Sequence, residues 1–116
     1  MIHICHKTIS PRHPAFIIAE AGVNHNGSLR LAKKLIDAAV RSGADAVKFQ
    51  TFNPDTLVTI TATKATYQIK NEGAPTETQY AMLKRLMLKR EYHASLKAYA
   101  KKKKIVVSNL AGYSTE

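Results

Sequence analysis

The tightest constraint on this chain is a pair of short apolar runs, Phe16-Ile17-Ile18-Ala19-Glu20-Ala21-Gly22 and Asp45 to Phe52, with a helix-period stretch filling the interval between them. A continuous apolar run of that length, ended by glycine, reads as a strand buried on both faces. In the interval, Asn24-His25-Asn26-Gly27 supplies turn chemistry and Ser28 offers a hydroxyl as helix N-cap. Ala32, Leu35, Ile36, Ala39 and Val40 then recur at helical spacing, and Gly43 stands where a glycine ends a helix. Strand, helix and strand in this order make one βαβ unit, whose strands are parallel and whose crossover is right-handed.

Asn53-Pro54-Asp55 closes the second strand, and Thr56 to Pro75 reads as a long polar connection. Thr76 and Gln79 have capping-box spacing and open a helix carrying Tyr80, Leu83, Leu86 and Met87. A further helix is expected from about Glu91, with Leu96, Tyr99 and Ala100 on one side, followed by a strand over Ile105-Val106-Val107-Ser108-Asn109-Leu110. The order β, α, β, α, α, β predicts a parallel α/β architecture. Three parallel strands are fewer than a closed barrel or an open doubly wound sheet uses, so the pattern is expected to be the opening of a larger domain.

Glu20, Lys48 and Gln50 are polar groups late in otherwise apolar strands, where an unpaired charge is expensive. Alternation puts Lys48 and Gln50 on one face of their strand, with Val47 and Phe49 on the other. The carboxyl ends of parallel strands are where ligands bind, so the three side chains are candidates for one pocket in which lysine holds an anion. The other use of the same residues is a Glu20–Lys48 ion pair that is structural and carries no chemistry. His25 is likewise either an ordinary turn residue or, because it follows the same strand end, a site residue.

The remaining histidines show no metal-ligand spacing, and neither nucleotide-binding glycine signature occurs. The formal charge of +10 sits mainly beyond Val58, where eleven basic residues face four acidic ones and Lys101 to Lys104 are contiguous. With no tryptophan, only three phenylalanines and no aromatic inside the Lys101 to Lys104 run, nucleic acid is not the expected partner. No segment has the length of a membrane span, and residues 1–14 lack the apolar run of a secretory signal. The lone Cys5 cannot form an internal disulfide, so a reducing, cytoplasmic setting is expected.

The stretch Phe16-Ile17-Ile18-Ala19-Glu20-Ala21-Gly22-Val23-Asn24-His25-Asn26-Gly27-Ser28, followed by Ala44-Asp45-Ala46-Val47-Lys48-Phe49-Gln50-Thr51-Phe52, resembles the first and second barrel strands of the sialic acid synthase family. A looser likeness continues through Tyr67-Gln68, Gln79 to Leu86 and Glu91 to Lys103. The resemblance implies an N-terminal fragment of a (β/α)8 TIM barrel, residues 15–116, behind an N-terminal extension, residues 1–14. The later strands and an antifreeze-like domain are expected to be absent.

It further implies condensation of phosphoenolpyruvate with N-acetylmannosamine or a related N-acyl sugar, with release of phosphate and a homodimer as the assembled form. The fragment alone is expected to be inactive, and the alternatives are a legionaminic or pseudaminic acid synthase fragment, or a non-catalytic interaction module or decayed product. By the same resemblance Glu20 is the catalytic residue, Lys48 contacts phosphoenolpyruvate, Gln50 and His25 line the pocket, and manganese or magnesium is held by ligands outside this chain. Two departures stand out. Ser108-Asn109-Leu110-Ala111 replaces a serine-threonine-proline-phenylalanine segment, and Lys104 occupies a position where the family has glycine.

Overall fold

The structure is a computed structural model that describes residues 1–57 and 78–110. Its centre is a three-stranded parallel sheet in the order β3-β4-β5, formed by Ile18–Gly22, Ala46–Phe49 and Val106–Ser108. Ile18 pairs with Ala46 and Glu20 with Lys48, while Ala46, Val47 and Lys48 pair in turn with Val106, Val107 and Ser108. Before this sheet in the chain comes an antiparallel hairpin, β1 (Ile2–Ile4) and β2 (Lys7–Ile9), turning through Cys5 at φ 53. The hairpin carries no sequence signal of its own, because each of its strands is only three residues long.

Helix α1, Leu29–Arg41, forms as its sequence dictates. The Ser28 hydroxyl accepts from the Leu31 N–H at 3.2 Å, and Gly43 follows the helix at φ 79. Ala32, Ile36 and Ala39 are buried, whereas Val40 lies at the edge of the apolar stripe and stays exposed. After β4 the chain enters a short helix α2, Pro54–Leu57, where only the close of the strand and the start of a polar connection were expected. The Asn53 carboxamide oxygen accepts the Asp55 N–H at 3.0 Å and starts it. Thr76 and most of the expected Thr56–Pro75 connection lie outside the described residues. The cap of α3, Gln79–Leu86, is Thr78, whose hydroxyl accepts from the Ala81 N–H at 3.1 Å. A 3-10 turn at Arg90–Tyr92 leads into α4, His93–Lys102.

Helices α1 and α4 pack on one face of the sheet. The core there joins Ala21, Val47, Phe49 and Val107 to Ile36, Leu96 and Ala100. A polar clasp holds the two helices together: the Tyr99 hydroxyl donates to Asp37 at 2.6 Å, and the Lys33 and Lys103 ammonium groups each stand 5.5 Å from the Tyr99 ring centre. The expectation that the first strand is buried on both faces fails. Ile17 and Ile18 are 52% and 57% exposed, because the helices cover only the side carrying Ala19 and Ala21.

Between α4 and β5 the chain turns through Lys104 at φ 61, the left-handed region in which a Cβ is penalised. Glycine is the residue this turn calls for. Lys104→Gly is expected to raise the unfolding free energy by about 1 kcal/mol, read as a higher urea midpoint at unchanged slope. Lys104→Ala, which removes the charge and keeps the Cβ, is expected to give no gain.

Candidate active site at the strand ends

Glu20 and Lys48 face each other across β3 and β4 as directly paired residues. Their side chains meet with Lys48 Nζ 3.5 Å from Glu20 Oε2, and both stay largely open to solvent. An exposed pair of this kind contributes only about 0–1 kcal/mol to stability. The second carboxylate oxygen of Glu20 is also engaged, since Oε1 accepts the Gly22 N–H at 2.9 Å. That bond depends on a bulge. Gly22 rather than Ala21 pairs with Phe49, and Gly22 sits at φ 55, so the backbone folds back far enough to present its N–H to the carboxylate two residues earlier. Glu20 is thereby aimed along the strand end instead of swinging freely.

Gln50 follows Phe49 at the end of β4. Its backbone N–H donates to the Gly22 carbonyl at 3.0 Å, which extends the β3–β4 contact past the bulge and leaves the side chain exposed at the sheet end. Ser108 pairs with Lys48 from the other side. Thr51 ties this end of the sheet to the β5 terminus by donating its hydroxyl proton to the Asn109 carbonyl at 2.7 Å. Asn109, in the segment that departs from the expected family wording, is itself left-handed at φ 63.

His25 lies elsewhere. Its ring is fully buried, on the side of the sheet that the helices cover, 6.0 Å from the Phe49 ring and tilted by 48°. Nδ1 accepts the Gly27 N–H at 2.8 Å, and Nε2 is buried with no hydrogen-bond partner among the described residues. A buried donor left in that state costs about 1–3 kcal/mol. Glu20, Lys48 and Gln50 thus share one sheet end, while the contacts of His25 are to the turn and the core. The placement follows from alternation, since Phe49 points to the face opposite Lys48.

Burial holds the His25 imidazole below its ordinary pKa, and His93, whose Nε2 meets the Leu88 carbonyl at 3.3 Å, is lowered mainly by burial as well. Asp45, by contrast, is lowered first by the hydrogen bond from the Ile17 N–H and then by Lys7.

Among the described residues no group of three or more His, Cys, Asp or Glu side chains comes together to hold a metal ion. These residues therefore do not by themselves fit the divalent cation that the sequence resemblance implies. A cavity of about 540 Å³ lies at the start of β5, lined by Cys5, His6, Lys101, Lys104 and Ile105 among others. None of the four candidate residues lines it, because they stand at the opposite end of the strands or behind the sheet. No helix among the described residues is long and apolar enough to cross a membrane.

Both histidines favour the neutral form when folded, so their contribution to stability is complete above the ordinary value of 6.5 and is lost as the pH falls through the depressed folded values. The urea midpoint is expected to drop as the pH is lowered below about 6.5, before carboxylate protonation adds its own loss near pH 4. A His25→Asn, His93→Gln double variant should flatten the midpoint across the upper window and leave the lower one unchanged.

Comparison with known proteins places these features in a lineage. The chain is 62% identical over 85 residues to the N,N'-diacetyllegionaminic acid synthase of Legionella pneumophila subsp. pneumophila, covering 73% of this chain and 24% of that protein. It is 52% identical over 86 residues to the enzyme of the same name from Campylobacter jejuni subsp. jejuni serotype O:2, covering 74% and 25%. The chain thus spans about a quarter of the length of these relatives. Among solved structures, the N-acetylneuraminic acid (sialic acid) synthetase of Leptospira borgpetersenii serovar Hardjo-bovis superposes with a TM-score of 0.64 at 31% identity, over 91% of this chain and 32% of that one. The parallel sheet and its helices accordingly correspond to a segment of a TIM barrel. Residues 35–111 match the NeuB family, a match that runs through the lysine run and past it. The chain belongs to the NeuB family.

Proposed function

We propose that this chain carries the phosphoenolpyruvate end of a nonulosonic acid synthase site, in which phosphoenolpyruvate condenses with the aldehyde carbon of an N-acyl amino sugar and phosphate is released. The observation that carries the reading is the Glu20–Lys48 pair at the carboxyl ends of adjacent parallel strands in a member of this family. Lys48, with an exposed ammonium group, is suited to the carboxylate or phosphate of phosphoenolpyruvate. Glu20 is fixed at Oε1 by Gly22 and faces Lys48 through Oε2, so Oε2 becomes available for a proton once Lys48 turns to the anion: when C3 of phosphoenolpyruvate bonds to the aldehyde carbon, water adds at C2 and phosphate leaves by C–O cleavage, and a carboxylate here orients that water or accepts its proton. Gln50 lends a neutral amide at the same rim.

Residues 15–116 constitute the barrel part in this reading, and residues 1–14 precede it as the hairpin segment. The two legionaminic acid synthases found among the relatives favour the N-acyl sugar precursor of a diacetyllegionaminic acid over N-acetylmannosamine as the second substrate. Manganese or magnesium, where the assembled enzyme uses one to activate the aldehyde, would be held by groups beyond the described residues. A cytoplasmic location suits a phosphoenolpyruvate-dependent reaction, and a homodimer is the proposed assembled form.

The alternative use of the same pair, a structural ion pair with no ligand, makes different predictions. Isothermal titration of phosphoenolpyruvate into the chain is expected to show binding that Lys48→Ala weakens by about tenfold or more. Glu20→Gln is expected to keep or strengthen that binding, because Lys48 is no longer shared with a carboxylate. If the folded wild-type chain takes up no phosphoenolpyruvate, the ligand reading is wrong and the ion pair is structural.

A further inference from the structure

We propose that His25 is a positioning residue for the Glu20–Lys48 pair, held as the neutral Nε2–H tautomer so that Nδ1 can seat the turn after β3 against β4. The proposal deepens the reading of that pair as a phosphoenolpyruvate site.

From Ala21 to Ser28 the chain advances through linked turns: the Asn24 N–H donates to the Ala21 carbonyl at 3.1 Å, the Asn26 N–H to Val23 at 3.0 Å and the Ser28 N–H to His25 at 2.9 Å. The Asn24 carboxamide adds a bond of 3.0 Å to the same Ala21 carbonyl. Of the side chains in the Asn24–Ser28 turn, only His25 is buried. Its Nδ1 accepts the Gly27 N–H, and an imidazole nitrogen that accepts from an amide bears no proton, so the proton is on Nε2.

Gly27 in turn has no room for a side chain. It sits at φ 75, and a Cβ there would stand 2.8 Å from the Arg85 carbonyl oxygen and 3.2 Å from that of Met87. The His25–Gly27 bond therefore wedges the turn between the end of α3 and the sheet. On its other side the imidazole meets Phe49, which stands between Lys48 and Gln50 in sequence and pairs with Gly22 across the bulge. Gly22 is the residue whose N–H fixes Glu20. A shift of the His25 ring is thus transmitted through Phe49 and Gly22 to both members of the pair, although His25 touches neither.

The unpartnered Nε2 strengthens the case. Leucine would fill a similar space without burying an orphan donor, so volume alone does not explain an imidazole here, whereas an acceptor for Gly27 does. Asparagine places a carbonyl oxygen where histidine places Nδ1 and should substitute for it.

The deciding experiment is nuclear magnetic resonance on the 116-residue chain, combining a long-range nitrogen–proton correlation of the imidazole with amide spectra of the wild type, His25→Leu and His25→Asn, alongside phosphoenolpyruvate titration. Expected are a protonated Nε2 and a bare Nδ1, displaced Gly22, Lys48 and Gln50 amide resonances in His25→Leu with affinity down on the order of tenfold, and near-wild-type values in His25→Asn. A proton on Nδ1 would overturn the proposal, as would a folded leucine variant whose three resonances and affinity are unchanged. If the leucine variant does not fold, the wild-type tautomer and the asparagine variant decide. Displaced resonances in a wild-type background that binds no phosphoenolpyruvate would support the positioning role and sink the ligand instead.

Discussion

The parallel sheet depends on Asp45. Its carboxylate accepts the Ile17 N–H at 2.8 Å and meets the Lys7 ammonium group at 3.3 Å, its own N–H donates to the Ile17 carbonyl at 2.8 Å, and its carbonyl accepts the Val106 N–H at 3.2 Å. One residue therefore ties the first parallel strand, the third and the N-terminal hairpin to the start of the second. Because side-chain direction alternates along a strand, fixing the register at this end decides which residues share a face at the other. Glu20 comes opposite Lys48, and Phe49 points back into the core, as a consequence of where Asp45 holds Ile17 and Val106.

The part of this arrangement that repeats was readable in the sequence. Helix α1 announced itself through its spacing, the Ser28 cap and Gly43, and the parallel strands through their apolar runs and the length of the crossover between them. What escaped notice was set by contacts between distant residues. The hairpin from Ile2 to Ile9 is held by pairing rather than pattern, and the α3 cap is Thr78, a hydroxyl that local spacing does not single out. Ile17 and Ile18 look as apolar as any core residue, yet exposure depends on what packs against them, which composition does not record.

Legibility of the candidate site was divided in the same way. Charged residues late in apolar runs are conspicuous, and alternation alone places Lys48 opposite Phe49. The bulge was not visible, because Gly22 reads as the end of a strand rather than as the residue that turns its N–H toward Glu20. His25 was drawn to the site by its position after the strand, whereas its geometry sends the ring behind the sheet. A histidine between two asparagines gives no sign of burial, and only the Gly27 bond and the Phe49 ring reveal the direction it takes.

The one-sided covering of the sheet has an electrostatic consequence. At the uncovered face Lys48 and Glu20 are bathed in a medium of high dielectric constant, where two unit charges about 4 Å apart interact by only about 1 kcal/mol. Where protein replaces part of that water and the effective dielectric constant falls to about 20, the same separation corresponds to about 4 kcal/mol of Coulomb energy. Any layer laid over Ile18, Glu20 and Lys48 would thus change more than their exposure: it would strengthen the Coulomb pull of Lys48 on an anion and, by stripping water from the charges, set a desolvation cost against it.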